Sequence, residues 1–108
     1  MAQTYQVVVT PQAEESLDAI VGYLLETASD AVAERVRAGI IEEIRGLSNM
    51  PQRHGLLQGV DNLLITYRRA LKWSYRIIFT VEEEDFLVLV IEIDHGKRNP
   101  EELKNVLL

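Results

Sequence analysis

Cysteine is absent from the 108 residues, so disulfides, thiolate metal sites and thiol nucleophiles are all excluded. Long apolar runs are also missing. The longest, such as Phe86–Ile91, fall far short of the roughly 20 residues a membrane helix needs, so no membrane is expected. Met1-Ala2-Gln3-Thr4 shows neither a basic n-region nor an apolar h-region, and with no export signal read there, a cytoplasmic location is expected. No repeat, linker or low-complexity stretch breaks the chain, which is read as one domain over residues 1–108. No metal site and no cofactor motif is read. What is present is a 47% share of hydrophobic residues, enough to build a core.

Positive charge is scarce overall, at a formal net of −6, yet it is segregated. Residues 1–49 carry three Arg against eight acids, a net of −5, and residues 82–108 again total −5. Between them, Arg53, Arg68, Arg69, Lys72 and Arg76 face Asp61 alone, for a net of +4. An anionic partner is therefore expected at the middle of the chain and at the local pair Lys97-Arg98.

Hydrophobic spacing outlines the elements. Tyr5–Val9 is apolar and β-branched and predicts a strand. Thr10-Pro11 then supplies a cap and a residue with φ preset for a first helical turn. Ala13, Leu17, Ile20, Val21, Leu24, Leu25 and Ala28 form one helical stripe. Asp30 is read as a second cap, opening a helix marked by Ala33, Val36, Ile40, Ile44 and Leu47. Gly39 inside that helix is read either as a close approach to the first helix or as a weak spot.

Ser48–Asn62 reads as a loop whose Leu56-Leu57 and Val60 lie against the core. Leu63–Leu71, Trp73–Val81 and Phe86–Asp94 read as strands of an antiparallel meander. Asn99-Pro100-Glu101-Glu102 carries a cap signature for a short closing helix. Trp73 and Tyr75 are read as core aromatics in preference to base-stacking platforms. The order β-α-α-β-β-β(-α) predicts an α+β fold, a helical hairpin packed on a mainly antiparallel four-stranded sheet.

That order resembles the RelE/ParE toxin superfamily of type II toxin–antitoxin systems, in its ParE-like branch. The resemblance is carried by Tyr75-Arg76-Ile77-Ile78-Phe79, by the apolar run Phe86–Ile93 and by His95-Gly96-Lys97-Arg98-Asn99-Pro100. It spans nearly the whole chain. Members divide mainly into RelE-like toxins, which cut messenger RNA on the ribosome, and ParE-like toxins, which poison DNA gyrase; a shared fold does not choose between them. For the nuclease alternative, the resemblance implies Arg76 and Arg98 as cations, with Arg69 nearby. His95 would be the acid–base group. His95 reads equally as a structural strand end, and Glu101–Leu108 contains no Tyr or His to protonate a leaving group.

The tract His95–Pro100 and the long helices fit the ParE-like branch better, with Lys97, Arg98 and Arg69 as target contacts. Alternation allows only one of Arg68 and Arg69 to share a face with Arg76, and Arg69 is favoured. The resemblance further implies a small antitoxin, DNA-binding at its N-terminus, that lays apolar residues on the toxin near Tyr23 and Leu24. A homodimer when free and a larger hetero-oligomer with antitoxin belong to the same expectation. So does a third reading, an antitoxin-binding module without toxicity.

Overall fold

The computed structural model describes residues 3–60, 64–96 and 100–107. Strand β1 (Gln6–Val9) leads into helices α1 (Pro11–Thr27) and α2 (Asp30–Gly46). A short 3-10 turn, Pro51–Arg53, precedes strands β2 (Arg68–Lys72), β3 (Tyr75–Glu82) and β4 (Leu87–Asp94), and helix α3 (Pro100–Leu107) follows. The sheet order is β1-β4-β3-β2, with β1 parallel to β4 and the other pairs antiparallel. The order of elements agrees with the sequence-based expectation, and the parallel pair is what the helical hairpin makes reachable, since parallel neighbours need a long crossover.

Thr10 fixes where α1 begins. Its Oγ1 accepts from the Ala13 amide at 3.3 Å and donates to the Val90 carbonyl at 2.9 Å, tying the helix start to β4. For α2 the cap is Ser29, whose Oγ accepts from the Val32 amide at 3.1 Å, so Asp30 is the first helical residue and not the cap. An acid at that position still favours the positive end of the helix dipole.

Both helices pack on one face of the sheet. Ala13, Leu17, Ile20, Val36, Ile40 and Ile44 meet Ala70, Tyr75, Ile77, Phe79, Val88, Val90 and Ile93 in one buried cluster. A bulge makes this register work. Ile78 pairs with Glu92 but Phe79 pairs with Val90, so Ile91 is an extra residue on β4. Without it, Val88 and Val90 would turn away from the helices, because a one-residue slip exchanges the two faces.

The opposite face carries a second cluster, in which Leu57, Val60, Tyr67, Ile78 and Leu103 bury together with Leu107 against them. Leu57 and Val60 of the loop are thus core residues, whereas Leu56 is exposed. The expected strand Leu63–Leu71 is shorter, starting only at Arg68. Asp61 to Leu63 lie outside the described residues, and Leu64 is exposed.

Trp73 and Ser74 form the two-residue turn between β2 and β3 instead of opening a strand. Trp73 takes a left-handed φ of 53°, a conformation that costs an L-residue roughly 1–2 kcal/mol. Its indole folds back on α2. A Cβ placed on Gly39 would lie 2.5 Å from Trp73 Cη2, so the glycine admits this turn and not the neighbouring helix. Glycine there costs the helix up to about 1 kcal/mol relative to alanine. Trp73 nonetheless stays 56% exposed, so the expectation of a core tryptophan is corrected; Tyr75 does enter the core. The physical reason is the turn itself, which lifts residue 73 clear of the sheet.

Candidate functional site

Strand alternation distributes the basic residues between the two faces. Arg69 pairs with Ile78 and Leu71 with Arg76, so Arg69 and Arg76 share the face opposite the helices. Arg68 points to the helix side, where its Nη1 donates to the carbonyls of Gln52 at 3.3 Å and His54 at 2.8 Å. Arg69 is half-buried and leans over Gly55, whose carbonyl accepts from the Arg69 amide at 3.0 Å.

Arg76 is buried and already engaged. Its Nε donates to Asp94 Oδ1 at 3.0 Å and its Nη2 to Asp94 Oδ2 at 2.9 Å, a bidentate pair between directly opposed residues of β3 and β4. Asp94 is only 4% exposed, and its Oδ1 also accepts from the Gly96 amide at 2.9 Å. That last bond shapes the turn after β4. Gly96 has φ +76°, a conformation that strongly favours glycine, and a Cβ there would crowd the Ser74 carbonyl at 3.3 Å. Glu92, two residues back on the same face, is buried as well, and its Oε1 accepts from the Ile93 amide at 2.9 Å. The outer face therefore holds two buried carboxylates beside its arginines.

His95 lies across the sheet from them. Its ring stands 5.3 Å from that of Tyr75, and it borders a recess of about 310 Å³ with Ser16, Ile20, Tyr23 and Ile93 on the helix side. Arg69 and Arg76 are thus brought to one face, and His95 is not brought to it. Lys97 and Arg98 lie outside the described residues. Of the two antitoxin-contact candidates, Tyr23 is well exposed and Leu24 packs against the main core.

Three features were not among the sequence candidates. The first is Asp94, together with Glu92: acids at alternate positions of an otherwise apolar strand were the available signal. The second is His54, whose ring meets Phe79 edge to face at 5.7 Å and whose Nε2 accepts from Arg53 Nε at 3.3 Å. Burial pushes its pKa below the ordinary value, with the Arg53 charge adding to the shift. Only the fold could reveal the third, a groove of about 340 Å³ beside β1. Val9, Leu17, Ile41 and Ile44 form its apolar part, and the Asp18–Arg37 pair at 3.3 Å lies on its rim. Val7 and Val9 turn their main-chain groups away from β4 toward this open edge of the sheet.

Burial also raises the Tyr67 hydroxyl above its usual pKa; it donates to the Leu107 carbonyl at 3.3 Å and thereby fastens α3 to the outer face. No group of His, Asp and Glu able to hold a metal occurs among the described residues, and no helix among them is long and apolar enough to cross a membrane.

Solved structures that share this architecture include chains of toxin–antitoxin complexes. A chain of the RelBE2 complex from Mycobacterium tuberculosis aligns with a TM-score of 0.65 at 22% identity, covering 86% of this chain and 92% of that one. A chain of the chromosomal ParDE system of P. aeruginosa aligns with a TM-score of 0.67 at 16% identity, covering 85% and 96%. One from the archaeal RelE–RelB complex of Pyrococcus horikoshii OT3 gives 0.57 at 18%, covering 89% and 99%. At these identities the likeness establishes the fold. No curated protein sequence matches the chain. The model of the ParE toxin of the type II toxin–antitoxin system parDE matches residues 7–100, and the chain belongs to that family.

Proposed function

We propose that this protein arrests growth by binding DNA gyrase and that it cuts no RNA. The observation that carries this reading is the Arg76–Asp94 pair. Cleavage of RNA by its own 2′-OH requires cations free to stabilise the phosphorane and an acid–base group beside them. Here the buried strand arginine is neutralised by a bidentate carboxylate, Glu92 adds a second carboxylate to that face, and His95 lies on the other side of the sheet. Arg69, with Lys97 and Arg98 of the basic tract, then serves as a contact to the target and not as catalytic machinery. Binding the gyrase–DNA cleavage complex more tightly than the resealed state shifts the population toward broken DNA, with no chemistry by the toxin itself. Such action takes place in the cytoplasm.

A cognate antitoxin holds the toxin inactive on the same reading. The groove of Val9, Leu17, Ile41 and Ile44 offers apolar floor and charged rim to an amphipathic segment, and the free edge of β1 offers main-chain partners. Tyr23 provides a further exposed contact along α1.

A supercoiling assay with purified protein tests the target. Inhibition with accumulation of cleaved DNA is the expected result; unaffected supercoiling together with cuts in translated messages would establish the nuclease instead. Loss of toxicity in both assays, with antitoxin binding intact, would leave an antitoxin-binding module.

A further inference from the structure

The single tryptophan of the chain is displayed at a turn and stays mostly exposed. Its backbone takes a left-handed φ, as Met50 and Phe86 also do, and the glycine inside α2 leaves the space in which its indole rests. Backbone outliers that the surrounding structure enforces cluster at functional sites. With Arg35, Val36 and Tyr75, the indole frames a recess of about 150 Å³. Lys72 Nζ stands 4.9 Å from the ring centroid, and among the described residues no carboxylate lines the recess. On a chain of net charge −6 this is a local apolar spot flanked by two cations. It adjoins β2, one edge of the sheet, whereas the groove beside β1 belongs to the opposite edge.

We infer that the Trp73 turn is the surface by which this toxin grips its protein target, receiving an acidic segment that carries one apolar side chain. The apolar side chain enters the recess against Trp73 and Tyr75, and carboxylates flanking it meet Lys72 and Arg35. Tryptophan and arginine in small pockets dominate the energetics of protein interfaces, and complementary charge selects the partner. A nucleobase fits less well. Lys72 stands over one face of the indole and one edge of the ring lies against α2, so the ring offers little free surface for stacking. Only the identity of the target, gyrase, rests on the function proposed above.

The test uses the full-length protein with Trp73→Ala, Lys72→Glu and Arg35→Glu, each checked for wild-type circular dichroism and melting. Because Trp73 is the only tryptophan, its emission also reports directly on burial of the turn. Gyrase should shift the wild-type emission to the blue, and each variant should lose about tenfold or more in gyrase inhibition while keeping antitoxin affinity within about twofold. Gly39→Ala, which displaces the indole from α2 without replacing any of the proposed contact residues, should weaken inhibition as well.

Wild-type inhibition retained in all these variants overturns the inference, and so does a loss of antitoxin affinity in place of target affinity. Binding of a fluorescent single-stranded oligonucleotide that the variants abolish would assign the turn to nucleic acid and likewise overturn it. Should wild-type protein leave gyrase untouched, the gyrase reading fails by itself. Growth arrest in cells then decides: arrest lost in the variants with antitoxin binding intact upholds the inference for another protein target, and arrest unchanged, or absent in the wild type, overturns it.

Discussion

The two faces of one sheet are built from different chemistry. On the helix side, Ile77, Phe79, Val88, Val90 and Ile93 are buried and apolar, covered by two 17-residue helices. On the outer side the same strands place Arg76, Glu92 and Asp94 beside a smaller cluster, covered by the loop around Leu57 and Val60 and by Leu103 of α3. Burial on the first face is non-directional and contributes chiefly to stability. On the second, each buried charge requires a partner in defined geometry, because an unpaired charge out of water is strongly unfavourable. Loss of a methyl group is therefore expected to be felt most on the helix side, and loss of a single oxygen most on the outer side.

Truncation on the helix side should have the largest effect. Phe79→Ala removes a fully buried ring from the cluster on the helix side of the sheet and is expected to cost about 3–5 kcal/mol, read by urea denaturation. A loss under about 1 kcal/mol would mean that this face is not the principal core. The outer face is broken next by Asp94→Ala, which leaves Arg76 buried without its carboxylate and should cost about 3 kcal/mol. In the double variant Arg76→Met with Asp94→Leu much of that loss should return. Additive losses in the cycle would show that the pair acts through something other than its mutual charge.

Gly39→Ala joins the two scales of cost. Alanine gains up to about 1 kcal/mol of helix propensity but collides with the Trp73 indole, so a net loss of roughly 1–2 kcal/mol is expected, with altered tryptophan emission. A stabilised protein would show that the turn yields freely.

The smallest effect concerns pH. Burial, then Arg53, holds the pKa of His54 below 6.5, so the unfolded chain takes up that proton more readily than the folded one. The stability contributed by neutral His54 is full above about pH 6.5 and declines as pH falls below it. Comparing melting temperatures at pH 7.5 and 5.5, the drop in wild type should exceed the drop in His54→Gln; equal drops would remove His54 from the account.

Much of this architecture was legible from spacing alone. The stripe Ala13-Leu17-Ile20 and the sequence Thr10-Pro11 mark α1 to within a residue, since period and capping are local properties. The meander was legible for the same reason, apart from its first strand. Leu63–Tyr67 carries strand-like residues, yet the ladder begins at Arg68, because pairing depends on what lies beside a segment and not only on its own composition. Of the candidate residues, alternation sufficed to group Arg69 with Arg76. It could not show that Asp94 occupies Arg76, that His95 faces away from both, or that Gly39 and Trp73 touch. Lys97 and Arg98 lie outside the described residues, so their part in the site rests on the basic tract itself.

By itself the sequence determined the family, the order of elements and the absence of thiol chemistry, all of which follow from residue identity and short-range period. Tertiary structure decided what the charges are free to do. Arg76 and Asp94 stand 18 positions apart, and Gly39 and Trp73 belong to different elements. Contacts of that range have no local signature. They arise only when β3 and β4 align around the bulge at Ile91 and the turn at Trp73 closes onto α2.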